Sequence, residues 1–203
     1  MEDESQWWEM FRMGDETSFK RIFERYQSLL FNYGYKFTQD ENLIDDCVQE
    51  LFVKLWYNRE TLGATASVKN YLFKSFRRML SRKLERANRF FSINTLTSEK
   101  LPFDIELPVD VDLMRKERLA EIQQQLALAL DKMSPRQREI IHLRYFEEMT
   151  YEEIADVMGL SVKDTYKLFY RAMDSLRKYI GKVNLLALLA LIGHLKATNI
   201  LKS

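Results

Sequence analysis

The side chains in this sequence that could do chemistry would do the chemistry of binding. Lys163, Tyr166, Lys167, Tyr170 and Arg171 fall on one side of a segment whose other side repeats Thr165, Phe169, Ala172 and Leu176 at i, i+4, i+7 and i+11. On a helix, cations and aromatics near the N-terminal half reach phosphates and the base edges of a major groove. A second group is cationic: Lys69, Lys74, Arg77, Arg78, Arg82, Lys83, Arg86 and Arg89 occur against Glu85 alone. With Tyr71, Lys74, Arg78, Arg82 and Arg86 opposite an apolar face of Leu72, Phe73, Phe76, Leu80 and Leu84, this ridge can follow phosphates, and nearby aromatics can stack on unpaired bases. A third group mixes acids with apolar residues. Ile44, Val48, Leu51 and Leu55 already complete a core stripe, which leaves Phe52, Val53, Trp56 and Tyr57 outside it beside Asp45, Asp46, Gln49 and Glu50. Exposed apolar residues among acids suggest a docking face for a basic protein partner. Each group also has a plainer reading: a solvated helix face, a basic surface helix, and a stripe covered by another helix.

Catalysis finds no matching constellation. His142 lies in the apolar run Ile140-Ile141-His142-Leu143, which gives it a structural role, and no Ser/His/Asp or Cys/His arrangement appears at useful spacing. Asp45 and Asp46 are adjacent, so on a helix they point about 100° apart, unlike a general acid/base pair. No glycine-rich phosphate loop is present. Cys47, His142 and His194 make a poor ligand set, so no metal or cofactor is expected, and Cys47 reads as a small buried hydrophobe. The expected protein is not an enzyme.

These groups need helices to hold them. Over residues 18–89 the apolar positions recur at helical spacing (Phe19, Ile22, Phe23, Tyr26, Leu29, Leu30) with no alternating run. Between 92 and 114 the periodicity fails, Pro102 and Pro108 appear, and Glu99, Asp104, Glu106, Asp110 and Asp112 make an acidic linker. Residues 118–133 read as a helix. Three capping boxes follow, Ser134 with Gln137, Thr150 with Glu153 and Ser161 with Asp164, and Pro135 sits at a first helical position. Thr150 to Ser161 and the helix after it have helix-turn-helix spacing, with Gly159 where the turn needs positive φ and Leu160 plugging the core. The expected fold is all-α: two helical domains joined by an acidic linker, the C-terminal one a helix-turn-helix. The boundaries fall at 1–90, 91–115, 116–181 and an apolar tail at 182–203.

Composition agrees with that fold. Of 203 residues, 46% are hydrophobic and 30% charged, with 6 Gly and 3 Pro, which favours a globular helical chain. Net charge is only +1, so nucleic-acid binding has to come from local patches. The acidic Met1-Glu2-Asp3-Glu4-Ser5 does not look like a signal peptide, and one cysteine suits a reducing, cytoplasmic compartment. The apolar run 183–195 is short of the roughly 20 residues a membrane span needs, so no membrane insertion is expected. The tail around it is too apolar for a one-sided surface helix, and must cover the C-terminal domain or meet a partner.

Taken together and in order, these residues resemble the extracytoplasmic-function (group IV) sigma factors of bacterial RNA polymerase, over roughly residues 15 to 180. Asp46-x-x-Gln49-Glu50-x-Phe52-x-x-x-Trp56 is similar to the family segment that docks on core RNA polymerase. Residues 67–89 are similar to the segment that reads and melts the minus-ten promoter element. Leu130-x-x-Met133-Ser134-Pro135-Arg136-Gln137-Arg138-Glu139, Tyr151-Glu152-Glu153-Ile154-Ala155 and residues 161–172 are similar to the minus-thirty-five reader. The resemblance implies core RNA polymerase and promoter DNA as partners, with an anti-sigma factor as a further candidate. The polymerase face would be Asp45, Asp46, Gln49, Glu50, Phe52, Val53 and Trp56. Minus-ten DNA would meet Tyr71, Lys74, Arg77, Arg78, Arg82 and Arg86, and minus-thirty-five DNA would meet Lys163, Tyr166, Lys167, Tyr170 and Arg171. Arg78 stands where the family commonly has Asn, Asp164 where Thr is usual and Leu168 where a basic residue is usual.

Two other readings use fewer of these features. A dimeric helix-turn-helix regulator would bind a palindrome without polymerase and would leave the ridge at 68–89 without a task. A helical adaptor that binds proteins alone would leave both cationic faces unexplained.

Overall fold

The computed structural model describes residues 3–91 and 128–180, and every regular element among them is helical. The chain divides into two compact units. The expected acidic linker, the apolar tail and most of the helix expected over 118–133 lie outside the described residues; 128–131 are helical.

The first unit is built on α1 (Glu4–Arg12), α2 (Glu16–Tyr35), α3 (Glu41–Tyr57), a 3-10 turn (Arg59–Thr61) and α4 (Val68–Phe91). An aspartate starts each of the first three. The side chains of Asp3, Asp15 and Asp40 accept from the N–H groups of Ser5, Ser18 and Leu43 at 3.0, 2.7 and 3.1 Å, satisfying donors that a helix start leaves unpaired. α1 ends in a Schellman turn, with Asp15 N–H donating to the Met10 carbonyl and Gly14 N–H to that of Phe11. Asp15 therefore closes one helix and caps the next. Sequence periodicity did not anticipate α1, yet Trp7, Trp8 and Phe11 bury its inner face.

α2, α3 and α4 enclose a core of Ile22, Leu30, Tyr33, Ile44, Leu51, Phe73, Phe76 and Leu80. Gly34 sets how closely they approach. A Cβ there would lie 2.9 Å from both Ile44 Cγ2 and Phe76 Cζ, so the helices meet at a spacing that only glycine permits. Tyr26 donates to Glu4 Oε2 at 2.5 Å, and Arg25 Nε lies 2.5 Å from Glu4 Oε1. Burial, then the Glu4 carboxylate, push the Tyr26 phenol well above its ordinary range.

The C-terminal helices run from 128–131 through α5 (Pro135–Ile141), a π turn (His142–Phe146), α6 (Tyr151–Met158) and α7 (Val162–Ile180). Ser134 caps α5 in the expected box with Gln137, and Pro135 is its first residue. The box of Thr150 and Glu153 also closes both ways, at 3.2 and 2.9 Å. The third box differs. Asp164 N–H donates to Ser161 Oγ at 3.1 Å, but the Asp164 carboxylate accepts from the Ser161 hydroxyl at 2.7 Å. Aspartate is one methylene shorter than the glutamate or glutamine that usually reaches back to the backbone. Between α6 and α7, Gly159 takes φ +64°, and Leu160 N–H donates to the Ala155 carbonyl at 2.8 Å. Ile140, Leu143, Ile154, Phe169, Ala172 and Leu176 fill the core. Leu160 is half-buried, a weaker plug than expected.

Candidate functional site

α4 brings four cations into one row. Lys74, Arg78, Arg82 and Arg86 are exposed and spaced by four residues, so each stands about 6 Å further along the axis. Their opposite face, Leu72, Phe73, Phe76, Leu80 and Leu84, is buried as expected. Two of the expected cations are placed differently. Arg77 is 7% exposed, because on the helix it falls between the buried Leu84 and Ser81, so it faces the core and not the ridge. Lys83 turns to α3 and meets Glu50 Oε2 at 2.9 Å. Tyr71 is half-buried, its ring 5.1 Å from that of Trp8.

On α3, the exposed positions Asp45, Gln49, Val53 and Tyr57 also recur every four residues, with Asp46 beside them. Val53 is 52% and Tyr57 79% exposed, a large apolar surface for an isolated helix face. Phe52 corrects the expectation. It is buried, with its ring 4.9 Å from Phe23 and 6.1 Å from Phe19, because α2 covers that side of α3. Trp56 is half-buried for the same reason: Phe19 lies 5.0 Å and Phe11 6.3 Å from its ring, and the Arg59 guanidinium sits 4.7 Å above it. The Glu50 carboxylate is held by Lys54 at 2.5 Å as well as by Lys83, and these bonds set its pKa below the usual carboxylate range. Cys47 is fully buried, and burial raises its thiol.

On α7, Thr165, Phe169, Ala172 and Leu176 face the core, while Lys163, Tyr166, Lys167, Tyr170 and Arg171 are exposed together. The expected grouping is present side chain by side chain. Lys167 Nζ lies 3.2 Å from Asp164, whose carboxyl is held low by the Ser161 hydroxyl and then by Lys167. Tyr166 is not a free-swinging ring. It packs against Tyr151 of α6, the rings 4.2 Å apart and tilted by 35°, and Arg144 in turn lies 5.1 Å over Tyr151 and donates to the Met149 carbonyl at 2.7 Å. Tyr151 and Arg144 thus frame the exposed face, a task that sequence spacing alone did not assign to them. The sequence signal was available, since Tyr151 is the first residue after the Thr150 cap and opens α6, about two turns before the helix-turn-helix bend.

His142 is buried, stacked on Phe146 at 5.2 Å and 3.5 Å from Glu147, which suits the structural role expected of it. Among the described residues no group of three or more His, Cys, Asp or Glu side chains could hold a metal ion. No helix among them is long and apolar enough to cross a membrane.

Comparison with known proteins matches two family descriptions to this architecture. Residues 22–90 match sigma-70 region 2, and residues 123–176 match sigma-70 region 4. The chain belongs to the sigma-70 family. It is an extracytoplasmic-function sigma factor, and RNA polymerase sigma factors from several bacteria align with it along most of its length. The sigma factor YlaC of Bacillus subtilis is 22% identical over 178 residues, covering 84% of this chain and 96% of the relative. The ECF sigma factor SigL of Mycobacterium tuberculosis is 23% identical over 159 residues, covering 78% and 86%. Among solved structures, the sigma factor RpoE of Bartonella quintana, in complex with the anti-sigma factor NepR, shares the fold with a TM-score of 0.58 and 19% identity, over 82% of this chain and 98% of that one. The function is that of an RNA polymerase sigma factor directing promoter-specific initiation, rather than that of a dimeric regulator. The family consists of initiation factors, which are not enzymes in the catalytic sense.

Proposed function

We propose that the three exposed rows are the working surfaces of this sigma factor. The α3 row of Asp45, Asp46, Gln49, Val53 and Tyr57 docks on core RNA polymerase. The α4 row of Lys74, Arg78, Arg82 and Arg86, with Tyr71, meets the minus-ten element and holds the opened strand. The α7 face of Lys163, Tyr166, Lys167, Tyr170 and Arg171 reads the minus-thirty-five element. Phe52 and Trp56 support the docking helix from behind, and Arg77 supports the ridge helix.

The observation that carries this reading is the regular exposure of those rows on long helices whose other faces are buried in core. A helix anchored on one face presents the other at fixed spacing, which lets it meet phosphates or a protein groove without first being ordered. With a formal net charge of +1 the isolated chain has few phosphate contacts to offer, so binding both elements at once requires the polymerase as scaffold. In this reading residues 1–90 dock and melt, 91–115 link, 116–181 read the upstream element and 182–203 cover that domain or meet a regulator. The protein performs no catalysis of its own and works in the cytoplasm. The similar RpoE of Bartonella quintana is bound to an anti-sigma factor in its solved structure, which motivates the proposal that this chain is also held by one.

The test is assembly. Purified chain mixed with bacterial core polymerase should elute as one complex on size exclusion and then initiate from promoters selected out of a random DNA pool. The triple variant Gln49→Ala, Val53→Ala, Tyr57→Ala should stay folded and lose the complex. An undiminished complex would remove α3 from the docking role.

A further inference from the structure

Two side chains of α1 grip one short stretch of chain fifty or more residues later. Trp8, almost fully buried, donates its indole N–H to the Gly63 carbonyl at 3.0 Å. Arg12 donates its Nε–H to the Leu62 carbonyl at 2.6 Å, while its Nη1 is fixed by Glu9 at 2.6 Å. The Trp8 ring also lies 5.1 Å from Tyr71, on the first turn of α4. Residues 62–67 form no regular structure and run directly into that helix. Their composition, Leu62-Gly63-Ala64-Thr65-Ala66-Ser67, provides little side chain with which to anchor themselves. The segment's local ties lie at its two ends: the Leu62 N–H donates to the Arg59 carbonyl at 3.4 Å, the Thr65 hydroxyl donates to the Ser67 carbonyl at 3.1 Å and accepts from the Ser67 N–H at 3.3 Å, and the Ser67 hydroxyl accepts from the Asn70 N–H at 3.2 Å.

A segment of small residues with exposed backbone samples many conformations unless something outside it restrains it. Here the restraint comes from groups whose burial or pairing makes them rigid. The indole is packed in core, and the guanidinium is pinned by a carboxylate on its own helix. Arg12 and Trp8 each fix one of two consecutive carbonyls, and Trp8 fixes Tyr71 through ring contact as well.

We propose that Trp8 and Arg12 are positioning residues of the minus-ten reader, holding the 62–67 segment and Tyr71 as one preformed surface at the head of the α4 ridge. This rests on the reading of α4 given above. Neither residue touches DNA; each acts by fixing the groups that do. Preforming a binding surface raises affinity because the bound partner no longer has to order it.

The test uses holoenzyme made from the full chain, and promoter DNA chosen by the wild-type holoenzyme from a random pool. Two probes are cut from that promoter: the single non-template strand of its minus-ten region and a duplex of its minus-thirty-five region. Trp8→Phe keeps an aromatic ring, smaller than the indole, and deletes the donor; Arg12→Ala deletes the guanidinium, and Arg12→Lys restores a donor. Trp8→Phe and Arg12→Ala should each weaken the single strand by roughly three- to ten-fold, the range one net hydrogen bond supplies. Arg12→Lys should recover part of that loss, and duplex binding should stay within about twofold for all three. An unchanged single-strand Kd, or an equal loss on both probes, overturns the proposal. A wild-type holoenzyme that binds the duplex but not the strand overturns the α4 reading itself. Should Trp8→Phe fail to fold, the Arg12 pair decides.

Discussion

Lys83 of α4 reaches the Glu50 carboxylate of α3 at 2.9 Å, so one ion pair joins the helix proposed to dock on polymerase to the helix proposed to hold DNA. Burial opposes the Lys83 charge, but the hydrogen bond and charge of Glu50 outweigh it and its pKa is raised. The pair is partly exposed, and solvent screens it. A double-mutant cycle with Lys83→Met and Glu50→Gln, read by urea unfolding, should give a coupling of about 0.5 kcal/mol that shrinks at high salt. A coupling absent at low salt would show that the bridge is incidental.

Neighbouring positions on α3 should respond very differently to truncation. Phe52 is enclosed by Phe19 and Phe23, so Phe52→Ala should cost about 3–5 kcal/mol of stability. Val53 is exposed, and Val53→Ala should stay within about 0.5 kcal/mol. Thermal unfolding of both, run beside a polymerase-binding assay, separates loss of fold from loss of docking. If Phe52→Ala melted like wild type, the packing described for α2 on α3 would be wrong.

Gly34 and Gly63 make a second contrast. Gly34→Ala drives a methyl to 2.9 Å from Ile44 and Phe76 and should destabilise by about 1–3 kcal/mol. Gly63→Ala meets open space at ordinary φ and should be neutral or stabilise by about 0.4–1 kcal/mol through the unfolded chain. Urea midpoints of the two single variants are sufficient to check the order.

On α7 the exposed cations and the rings should separate by salt. Lys167→Ala and Arg171→Ala should each lower the slope of log affinity against log salt by about 1 for holoenzyme on promoter DNA, if each contacts one phosphate. Tyr170, 64% exposed, should leave stability within about 0.5 kcal/mol when replaced by Ala. Tyr166→Ala removes the ring contact with Tyr151 and should cost about 0.5–1.5 kcal/mol more. Salt titrations that leave both slopes unchanged would take phosphate contact away from this face.

The helix cap at Asp15 carries a pH signature. Its carboxylate is held below the ordinary range by the side chain, then the backbone, of Ser18. A depressed folded pKa means that its stabilisation is fully present above the unfolded value of about 3.9 and is lost as pH falls through the lower folded value. Asn caps a helix without titrating. The melting temperature of wild type should therefore exceed that of Asp15→Asn near pH 6, with the gap closing as pH falls below about 4. A gap that widens in acid would contradict the sign.

Much of this was legible in the sequence because the elements are long and one-sided. Eight or more residues of 3.6-fold patterning fixed the buried faces of α4 and α7, and capping residues fixed their neighbours' starts. What sequence could not convey was which helix lies against which. Phe52 and Trp56 stand outside the stripe of α3 on a helical wheel, and their burial depends on Phe11, Phe19 and Phe23 arriving from two other elements. Charge alone groups Arg77 with the ridge, although its angular position beside Phe73 and Leu80 already places it inward. α1 is short, and its acidic start masks both Asp3 as a cap and the one-turn spacing of Trp7, Trp8 and Phe11.

The π turn at 142–146 closes with Glu147 N–H on the His142 carbonyl, five residues back instead of four. That turn is a reserve of chain length. A deletion inside an ordinary helix rotates everything beyond it by about 100°. Here, losing one residue lets the same two backbone groups close a standard turn, and the path into α6 keeps its origin. Between α5 and the helix-turn-helix the sequence can shorten by one without losing step, and what such a shortening costs is set by the contacts of the residue removed.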